Sequence, residues 1–434
     1  MLRQPIATSD RTIGSERTFH SGIALSPRML TATILWGRLT SSPGPPSSAP
    51  NTAAEPASEQ VLPGVRVALV HDWLTGMRGG EKVLEGLCEL YPDADLFTLF
   101  HQPGSVSPLI ERRRIQTSWL QRLPFASRHY RRYLPLFPSA VERFDLRGYD
   151  FVISSSHCVA KSVIPATHAR HLCYCHSPMR YAWDQFDAYF GVDRVGYAAS
   201  RWVYRPTMTR LARWDAATAN RVHRFVANSR HVAGRIARYY NRTASVVYPP
   251  VDTTFYCPAA VSSESHFLIV SALVPYKRID LAIEACRRAG ARLRIVGSGP
   301  ERHRLERLGG PDVSFLGSLP DEGVRDEYRR AMALILPGEE DFGIAPVESQ
   351  ACGRPVVAFA RGGALETVVD GETGVLFNEL TTASLQSALA RVSRLRVDTA
   401  RLRAHADLFA RERHVRQMQD TIAETAAAPA ETRW

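Results

Sequence analysis

Two acidic side chains that could bind a polyhydroxylated ligand flank a short run in the second half of the sequence. The run is EDFGIAPVE at 340–348, with Glu340 at its start and Glu348 at its end. Pro346 is typical of a helix start, because the first helical turn tolerates its missing N–H. One carboxylate before the turn and one in the first turn of the helix can face one cleft. They could accept hydrogen bonds from hydroxyls of two different sugars, and a nucleotide sugar offers both.

The same spacing has a second interpretation. Glu348 could merely complement the helix dipole, while Glu339, Glu340 and Asp341 form a solvated acidic loop. Spacing alone favours this second interpretation. The choice therefore depends on what surrounds the run.

The start of the expected helix is itself a candidate binding element. Free backbone amides at a helix start attract negative groups, so Phe342, Gly343 and Ile344 lie where hydroxyls or phosphates could be held. Gly343 lets a ligand approach the backbone closely. This segment is therefore predicted to bind a ligand through its backbone as well as its side chains.

The elements that must position these residues follow a strand, loop and helix pattern. A strand at 65–70, a glycine-containing loop and a helix at 81–90 predict one unit of a parallel sheet, and similar strands precede polar residues near 154, 176 and 228. Consecutive prolines at 249 and 250 interrupt the pattern, which restarts with strands near 267, 293 and 333. We therefore predict an α/β fold of two Rossmann-like domains in tandem.

The predicted organisation divides the chain into five parts. They are a disordered extension and linker at 1–63, a first Rossmann-like domain at 64–255, a second Rossmann-like domain at 256–400, a helix at 401–425 that packs back on the first domain, and a frayed tail at 426–434.

Composition narrows the class of protein. The chain has 434 residues, a net charge of +11, and 45% hydrophobic residues, which predicts a globular protein with anionic partners. Seven scattered cysteines without a C-x-x-C pair disfavour a disulfide framework and a zinc site and favour a reducing cytosol. No apolar run is long enough to span a membrane. The basic aromatic stretch at 111–133 suits an anionic membrane surface and a solvated basic face equally, and no nucleic-acid-binding module accompanies it.

Several segments together resemble the retaining glycosyltransferases of family 4, which have GT-B architecture. After EDFGIAPVE come GRPVVA at 353–358, Gly362, Gly363, Glu366 and DGETG at 370–374. The earlier segments are GGEKV at 79–83, YCHSP at 174–178, FVANS at 225–229, VYPPVD at 247–252 and VPYKRID at 274–280. Each is weak alone, but their order is specific. The resemblance implies two Rossmann-like domains whose parallel sheets face a central cleft. It further implies that the domain at 64–255 lies on the acceptor side and that the domain at 256–400 binds the nucleotide sugar.

The resemblance also implies roles for individual residues. Glu348 would bind the donor ribose, Glu340 and His176 would lie beside the transferred sugar as catalytic residues, and Lys277 would neutralise the donor diphosphate. The other implied donor-binding residues are Gly79, Gly80, Arg278, Phe342, Gly343 and Ile344. Many family members have an arginine where this chain has Ala272, so the diphosphate clamp is incomplete or rebuilt. No metal ligands and no cofactor are expected.

The resulting functional expectation is a retaining hexosyltransferase. It would transfer mannose from GDP-mannose to a lipid-linked or oligosaccharide acceptor, in the cytoplasm or peripherally on the inner face of the cytoplasmic membrane. The alternatives are a glucosyl- or galactosyltransferase that uses a UDP-sugar, and a non-catalytic scaffold or glycan-binding subunit.

Overall fold

Two parallel β-sheets organise the chain. The structure is a computed structural model that describes residues 62–126, 130–429 and 431–433, so the predicted extension at 1–63 lies almost wholly outside the described residues. The strands are β1 (Val67–His71), β2 (Asp95–Thr98), β3 (Ile115–Thr117), β4 (Phe151–Ser156), β5 (Arg170–Cys175), β6 (Arg224–Ala227), β7 (Ala244–Val246), β8 (His266–Val270), β9 (Arg292–Val296), β10 (Val313–Gly317), β11 (Ala333–Leu336), β12 (Val356–Phe359) and β13 (Gly374–Phe377).

The strand order of each sheet brings the polar ends of central strands together. The first sheet has the order β3-β2-β1-β4-β5-β6-β7 and the second β10-β9-β8-β11-β12-β13, with parallel pairing throughout. Every residue of β1, β4, β11 and β12 is buried, as expected for strands covered by helices on both faces. The prediction of two parallel-sheet, Rossmann-like domains is therefore confirmed.

Helices cover both sheets. They are α1 (Gly79–Leu90), α2 (Pro108–Glu111), α3 (Phe137–Val141), α4 (Arg180–Trp183), α5 (Phe186–Phe190), α6 (Val192–Val195), α7 (Tyr197–Ala199), α8 (Arg205–Thr218), α9 (Arg230–Tyr240), α10 (Ile279–Arg288), α11 (Arg302–Leu308), α12 (Asp321–Arg330), α13 (Ile344–Ala351), α14 (Ala364–Thr367), α15 (Thr382–Val392), α16 (Thr399–Ala406) and α17 (Arg411–Ala427). A π-helical turn, Ser200–Tyr204, joins α7 to α8.

The C-terminal segment differs from the single helix expected at 401–425. Ala410 is extended and forms a parallel bridge with Val251, so the segment is divided between α16 and α17. Phe409 packs in the core of the second domain, whereas Met418 and Ile422 pack in the core of the first. The chain therefore returns to the first domain through α17, and the backbone bridge at Ala410 is the reason for the break.

A run of helices between β5 and β6 has no counterpart in the sequence-based expectations. It comprises α4 to α8 and is called the helical arm below. Met208 and Leu211 on α8 are buried against the first domain, while Arg205 and Arg210 on the same helix are exposed. The arm is thus anchored by one face of α8.

Most of the aromatic side chains in the basic stretch at 111–133 pack in or against the core, whereas a membrane-binding surface would expose them. Tyr130 is buried, and Trp119 and Tyr133 pack against the core, whereas Phe125 is exposed. Arg128 lies outside the described residues. Within the part of the chain that the structure describes, no helix is both long and apolar enough to cross a membrane.

Candidate active site

Three side chains at the carboxyl ends of adjacent strands form a hydrogen-bonded row. His71 ends β1, Ser155 lies beside it near the end of β4, and His176 directly follows β5. The Ser155 hydroxyl lies 3.1 Å from His71 Nδ1 and 2.8 Å from His176 Nε2. Because a hydroxyl has one proton, it donates to one ring and accepts from the other. Ser155 therefore fixes the orientation of both rings.

The loop after β4 is held by one buried carboxylate. Asp72 accepts backbone hydrogen bonds of 2.6 to 2.9 Å from His157, Cys158, Val159 and Ala160. Asp72 Oδ2 also lies 3.2 Å from His157 Nδ1. These contacts fix the loop that borders the histidine row.

The site keeps His176 uncharged. Burial lowers the pKa of His176 well below its usual value, and the neighbouring His157 and His71 rings lower it further. Burial likewise lowers the pKa of His157. A neutral imidazole can hydrogen-bond a hydroxyl in either direction, so His176 suits a polyhydroxylated ligand at neutral pH.

The helix start beside these rings brings the two domains together. Gly79 and Gly80 form the first turn of α1, which begins two residues earlier than expected, so their N–H groups have no partner within the helix. A Cβ on Gly79 would lie 2.7 Å from Ile344 Cδ1 of the second domain, and one on Gly80 would lie 3.6 Å from His176 Nε2. A Cβ at Gly79 would require the end of the Ile344 side chain to move, whereas a Cβ at Gly80 would make ordinary van der Waals contact with the His176 ring.

Lys277 and Glu340 form an ion pair in the second domain. The loops that carry them pass closely, since a Cβ on Gly338 would lie 2.9 Å from Lys277 Cα. Burial lowers the pKa of Lys277 to about 7, and the Arg180 charge contributes to this lowering. Burial and Arg180 thus disfavour the charged form of Lys277, whereas the ion pair with Glu340 favours it.

Glu348 contacts both domains. Its carboxylate accepts a 2.9 Å hydrogen bond from the Tyr328 hydroxyl, and its other oxygen lies 3.4 Å from Lys82 Nζ of α1. The expectation that Glu348 lies in the first helical turn is wrong, because α13 begins at Ile344, before Pro346. Glu348 therefore faces the cleft from the second turn, where the helix dipole acts weakly on it.

Asp341 joins the two domains. Arg180 donates to its Oδ2 from Nε at 2.9 Å and also from Nη2, and Arg235 donates to its Oδ1 at 2.7 Å. The Asp341 carbonyl accepts a 2.6 Å hydrogen bond from Ser229. The two arginines outweigh burial and hold the pKa of the Asp341 carboxyl below its usual value.

A second carboxylate joins the domains farther along the cleft. Glu366 accepts hydrogen bonds of 2.9 and 3.0 Å from the backbone N–H groups of Arg230 and His231, at the start of α9. Its Oε2 also accepts from the Tyr248 hydroxyl at 3.0 Å. Glu366 thus caps a helix of the first domain from the second.

The structure brings most of the predicted site residues to one cleft. His176, Gly79 and Gly80 belong to what we call the N-terminal wall, with His71 and Ser155. The C-terminal wall comprises Lys277, Glu340, Asp341, Ile344 and Glu348. Gly343 has φ +87° and precedes α13. Phe342 is buried against Tyr248 and Phe409, so its side chain is not available to a ligand.

Arg278 differs from the other predicted residues. It directly precedes α10 with φ +51°, and its Nε lies 3.4 Å from Asp280 in the first turn of that helix. Its side chain therefore pairs with the start of α10 instead of with Glu340.

Sequence reasoning missed several residues that border the cleft. His71 and Ser155 could have been found by the rule that selected His176, since both lie at carboxyl ends of strands. Lys82, Arg235 and Tyr328 carry no comparable signal, because their positions depend on how the two domains meet. Among the described residues, no group of three or more His, Cys, Asp or Glu side chains is arranged to hold a metal ion.

Two protein-family models match consecutive parts of the chain. Residues 77–255 match the model described as Glycosyltransferase Family 4, and residues 259–409 match the model described as Glycosyl transferases group 1. The two matched ranges together include every residue of the two walls except His71, which precedes the first match.

Curated relatives are similar to part of the chain. A D-inositol 3-phosphate glycosyltransferase of Geodermatophilus obscurus is 34% identical over 239 residues, which is 47% of this chain and 53% of that protein. The protein of the same name from Kribbella flavida is 32% identical over 203 residues, 39% of this chain and 48% of that protein. The chain thus spans about half the length of these relatives.

Solved structures share the fold over most of the chain. Sucrose-phosphate synthase of Thermosynechococcus elongatus has a TM-score of 0.64 at 19% identity and covers 84% of this chain and 100% of its own. Anabaena HepE in complex with UDP-glucose has a TM-score of 0.61 at 17% identity and covers 82% and 99%. Together with the matched domains, these likenesses confirm the predicted GT-B architecture.

Proposed function

We propose that this chain, which carries a Glycosyltransferase Family 4 domain followed by a Glycosyl transferases group 1 domain, is a retaining hexosyltransferase that uses a nucleotide-sugar donor. One observation carries the proposal. Lys82 of the N-terminal domain contacts Glu348 of the C-terminal domain at 3.4 Å, so the helix start of α1 and the acidic and basic groups of the second domain border the same space.

Each part of a nucleotide sugar has a suitable partner in this space. The diphosphate fits between the first-turn N–H groups of α1 and the Lys277 ammonium, since helix starts and cations both stabilise negative charge. The ribose hydroxyls fit the Glu348 carboxylate. The hexose fits between His176 and the backbone N–H groups around Gly343, with Glu340 beside it.

The reaction follows from this placement. The bond between the anomeric carbon and the β-phosphate oxygen breaks, and its electron pair goes to the diphosphate. The acceptor hydroxyl bonds to the anomeric carbon from the same face, and its proton passes to the departing phosphate oxygen. Lys277 and the α1 helix start stabilise the charge that develops on the leaving group, and a neutral His176 orients the sugar hydroxyls.

We further propose Arg180 as the second cation for the diphosphate, in place of the arginine expected at Ala272. The Arg180 guanidinium lies 5.1 Å from the centre of the Tyr276 ring, and Tyr276 directly precedes Lys277 in the sequence. Arg180 also binds Asp341. A bound diphosphate would replace Asp341 as the partner of the Arg180 guanidinium, whose planar geometry suits bidentate hydrogen bonds to phosphate.

The proposed donor is GDP-mannose and the proposed acceptor a lipid-linked or oligosaccharide hydroxyl, on the basis of the VPYKR and HSPMR segments. The purified chain is incubated with GDP-mannose, UDP-glucose and UDP-galactose, and release of nucleoside diphosphate is measured. Fastest turnover of GDP-mannose is expected, and faster turnover of a UDP-sugar would replace the mannose assignment.

A matched pair of variants tests catalysis itself. Glu340→Gln should lose turnover, whereas Glu339→Gln should keep it, because the Glu339 side chain is about half exposed and faces His231 at 3.5 Å. If the wild type bound nucleotides but cleaved none of the donors, the chain would be a non-catalytic scaffold or glycan-binding subunit instead of a transferase.

A further inference from the structure

The outer face of the helical arm combines exposed apolar side chains with a row of arginines. Trp202 is 72% exposed, Tyr197 64% and Val203 58%. Isolated exposed apolar residues are normal on protein surfaces. Here three large ones lie within seven positions of one continuous helical segment, which calls for a physical explanation.

Arginines lie on the same helical segment as these apolar side chains. A shallow depression of about 510 Å³ lies along the same helical face. It is lined by Arg201, Arg205, Pro206, Thr209, Arg210 and Arg213. Trp202 precedes Arg205 and Pro206 by one helical turn, so the aromatic ring and the basic row share a face.

Acidic residues are nearly absent from this surface. The sequence has no Asp or Glu between positions 196 and 214. Asp187 lies 3.6 Å from Arg205, and both side chains are exposed, so this pair is weak. Asp215, the next acid in the chain, is buried and paired with Lys161 at 2.9 Å. The face therefore keeps most of its positive charge.

We propose that this surface, defined by Tyr197, Arg201, Trp202, Val203, Arg205, Arg210 and Arg213 and called the arm face, docks on an anionic phospholipid bilayer. Arginines attract anionic headgroups, while Trp, Tyr and Val enter the boundary between headgroups and acyl chains. Met208 and Leu211 on the inner face of α8 pack in the protein core, so the outer face of the helix can contact a bilayer.

The arm also connects this surface to the cleft. Its first residue, Arg180, binds Asp341, and Arg194 donates a 3.1 Å hydrogen bond to Glu301 of the second domain. A bilayer on the arm face would lie beside the cleft, where a lipid-linked acceptor could reach the site. This last step rests on the proposed function, whereas docking itself does not.

Vesicle sedimentation tests the proposal on the full chain. Binding is expected to phosphatidylcholine vesicles with about one third phosphatidylglycerol, to weaken with salt, and to be low on phosphatidylcholine alone. Replacing one arm-face arginine with glutamine should lower binding about fivefold. The quadruple change at Arg201, Arg205, Arg210 and Arg213 should lower it to the level of neutral vesicles.

A charge-matched control distinguishes binding by the arm face from a general attraction of the basic protein to anionic vesicles. Glutamine at the exposed positions Arg287, Arg288, Arg394 and Arg396 removes the same charge from the other domain and should leave vesicle binding within about twofold of wild type. Equal losses in the two quadruple variants, or no vesicle binding by the wild type, would overturn the proposal. So would binding of a labelled oligonucleotide through the same arginines without vesicle binding.

Trp202 gives a readout that a structural role would not change. Brominated lipid should quench part of the tryptophan fluorescence of the wild type, and Trp202→Phe should remove that part. Equal quenching in the wild type and in Trp202→Phe would show that Trp202 does not insert into the bilayer. Nucleotide binding measured by calorimetry should be unchanged in every arm-face variant. If the wild type bound vesicles but no nucleotide, the proposed function would be refuted and the docking proposal would stand.

Discussion

The two walls of the cleft stabilise their polar side chains in different ways. On the N-terminal wall, His71, Ser155 and His176 form hydrogen bonds within one domain, and His176 is kept neutral by burial. On the C-terminal wall, Lys277 and Asp341 are charged groups balanced by ion pairs, some of which come from the other domain. The first wall is preorganised, whereas the second must exchange partners when a ligand binds.

This difference separates the expected effects of mutations. Changes on the C-terminal wall should alter donor binding and leaving-group stabilisation, because they remove charge. Changes in the hydrogen-bonded row of His71, Ser155 and His176 on the N-terminal wall should alter turnover with little effect on binding, because they reorient the neutral His176 ring. Single substitutions on each wall test this division.

Lys277→Ala should cause the largest loss. It removes the cation proposed to face the diphosphate and leaves the partly buried Glu340 without its ion-pair partner. We expect kcat/KM to fall by about 100- to 1000-fold, comparable to the loss of one group that stabilises developing charge. Steady-state assays of nucleoside diphosphate release would measure it. Lys277→Arg should recover part of the activity, and a loss below about threefold in the alanine variant would remove Lys277 from the site.

Glu348→Gln should mainly weaken donor binding. The amide oxygen can still accept from Tyr328, but the NH2 group that replaces the other oxygen cannot accept from Lys82. The side chain also loses the charge that makes hydrogen bonds to the ribose hydroxyls strong. The expected cost is about 2 kcal/mol, or roughly 30-fold in Kd. Calorimetry with GDP and UDP measures it, with Glu339→Gln as the control that should bind as wild type does. An unchanged Kd with a large loss of kcat would place Glu348 beside the reacting sugar instead.

The sequence predicted the elements of the two walls better than the contacts between them. His176, Lys277 and Glu348 lie at strand or helix ends that hydrophobic pattern and resemblance identify. The pairing of Asp341 with Arg180 and Arg235 links positions more than a hundred residues apart, and no local pattern specifies it. The helix start at Ile344 also differed from expectation, because the φ of +87° at Gly343 permits the turn without Pro346 as the first residue.

Donor binding should depend on pH through Lys277. The pKa of Lys277 in the free protein is lowered to about 7 by burial, so the ammonium loses its proton as the pH rises above 7. A diphosphate favours the protonated form and raises this pKa, so binding takes up a proton above pH 7. Affinity should therefore fall by up to about tenfold per pH unit above 7. Calorimetry in buffers of different ionisation enthalpy detects the proton uptake. Lys277→Arg, which stays charged, should flatten the profile, and a persistent slope in that variant would assign the proton to another group.

Ser155→Ala should have the smallest effect and the clearest division between kcat and KM. The change removes the hydroxyl that bridges His71 and His176, at a net cost of about 1 kcal/mol. His176 then loses its fixed orientation, so kcat should fall about fivefold to tenfold while KM for the donor changes little. Ser155→Thr keeps the hydroxyl and should restore kcat, which a defect in packing alone would not predict, since the added methyl group enters a fully buried position. A rise in KM without a change in kcat would show that the N-terminal wall acts in binding, and the contrast between the two walls would then fail.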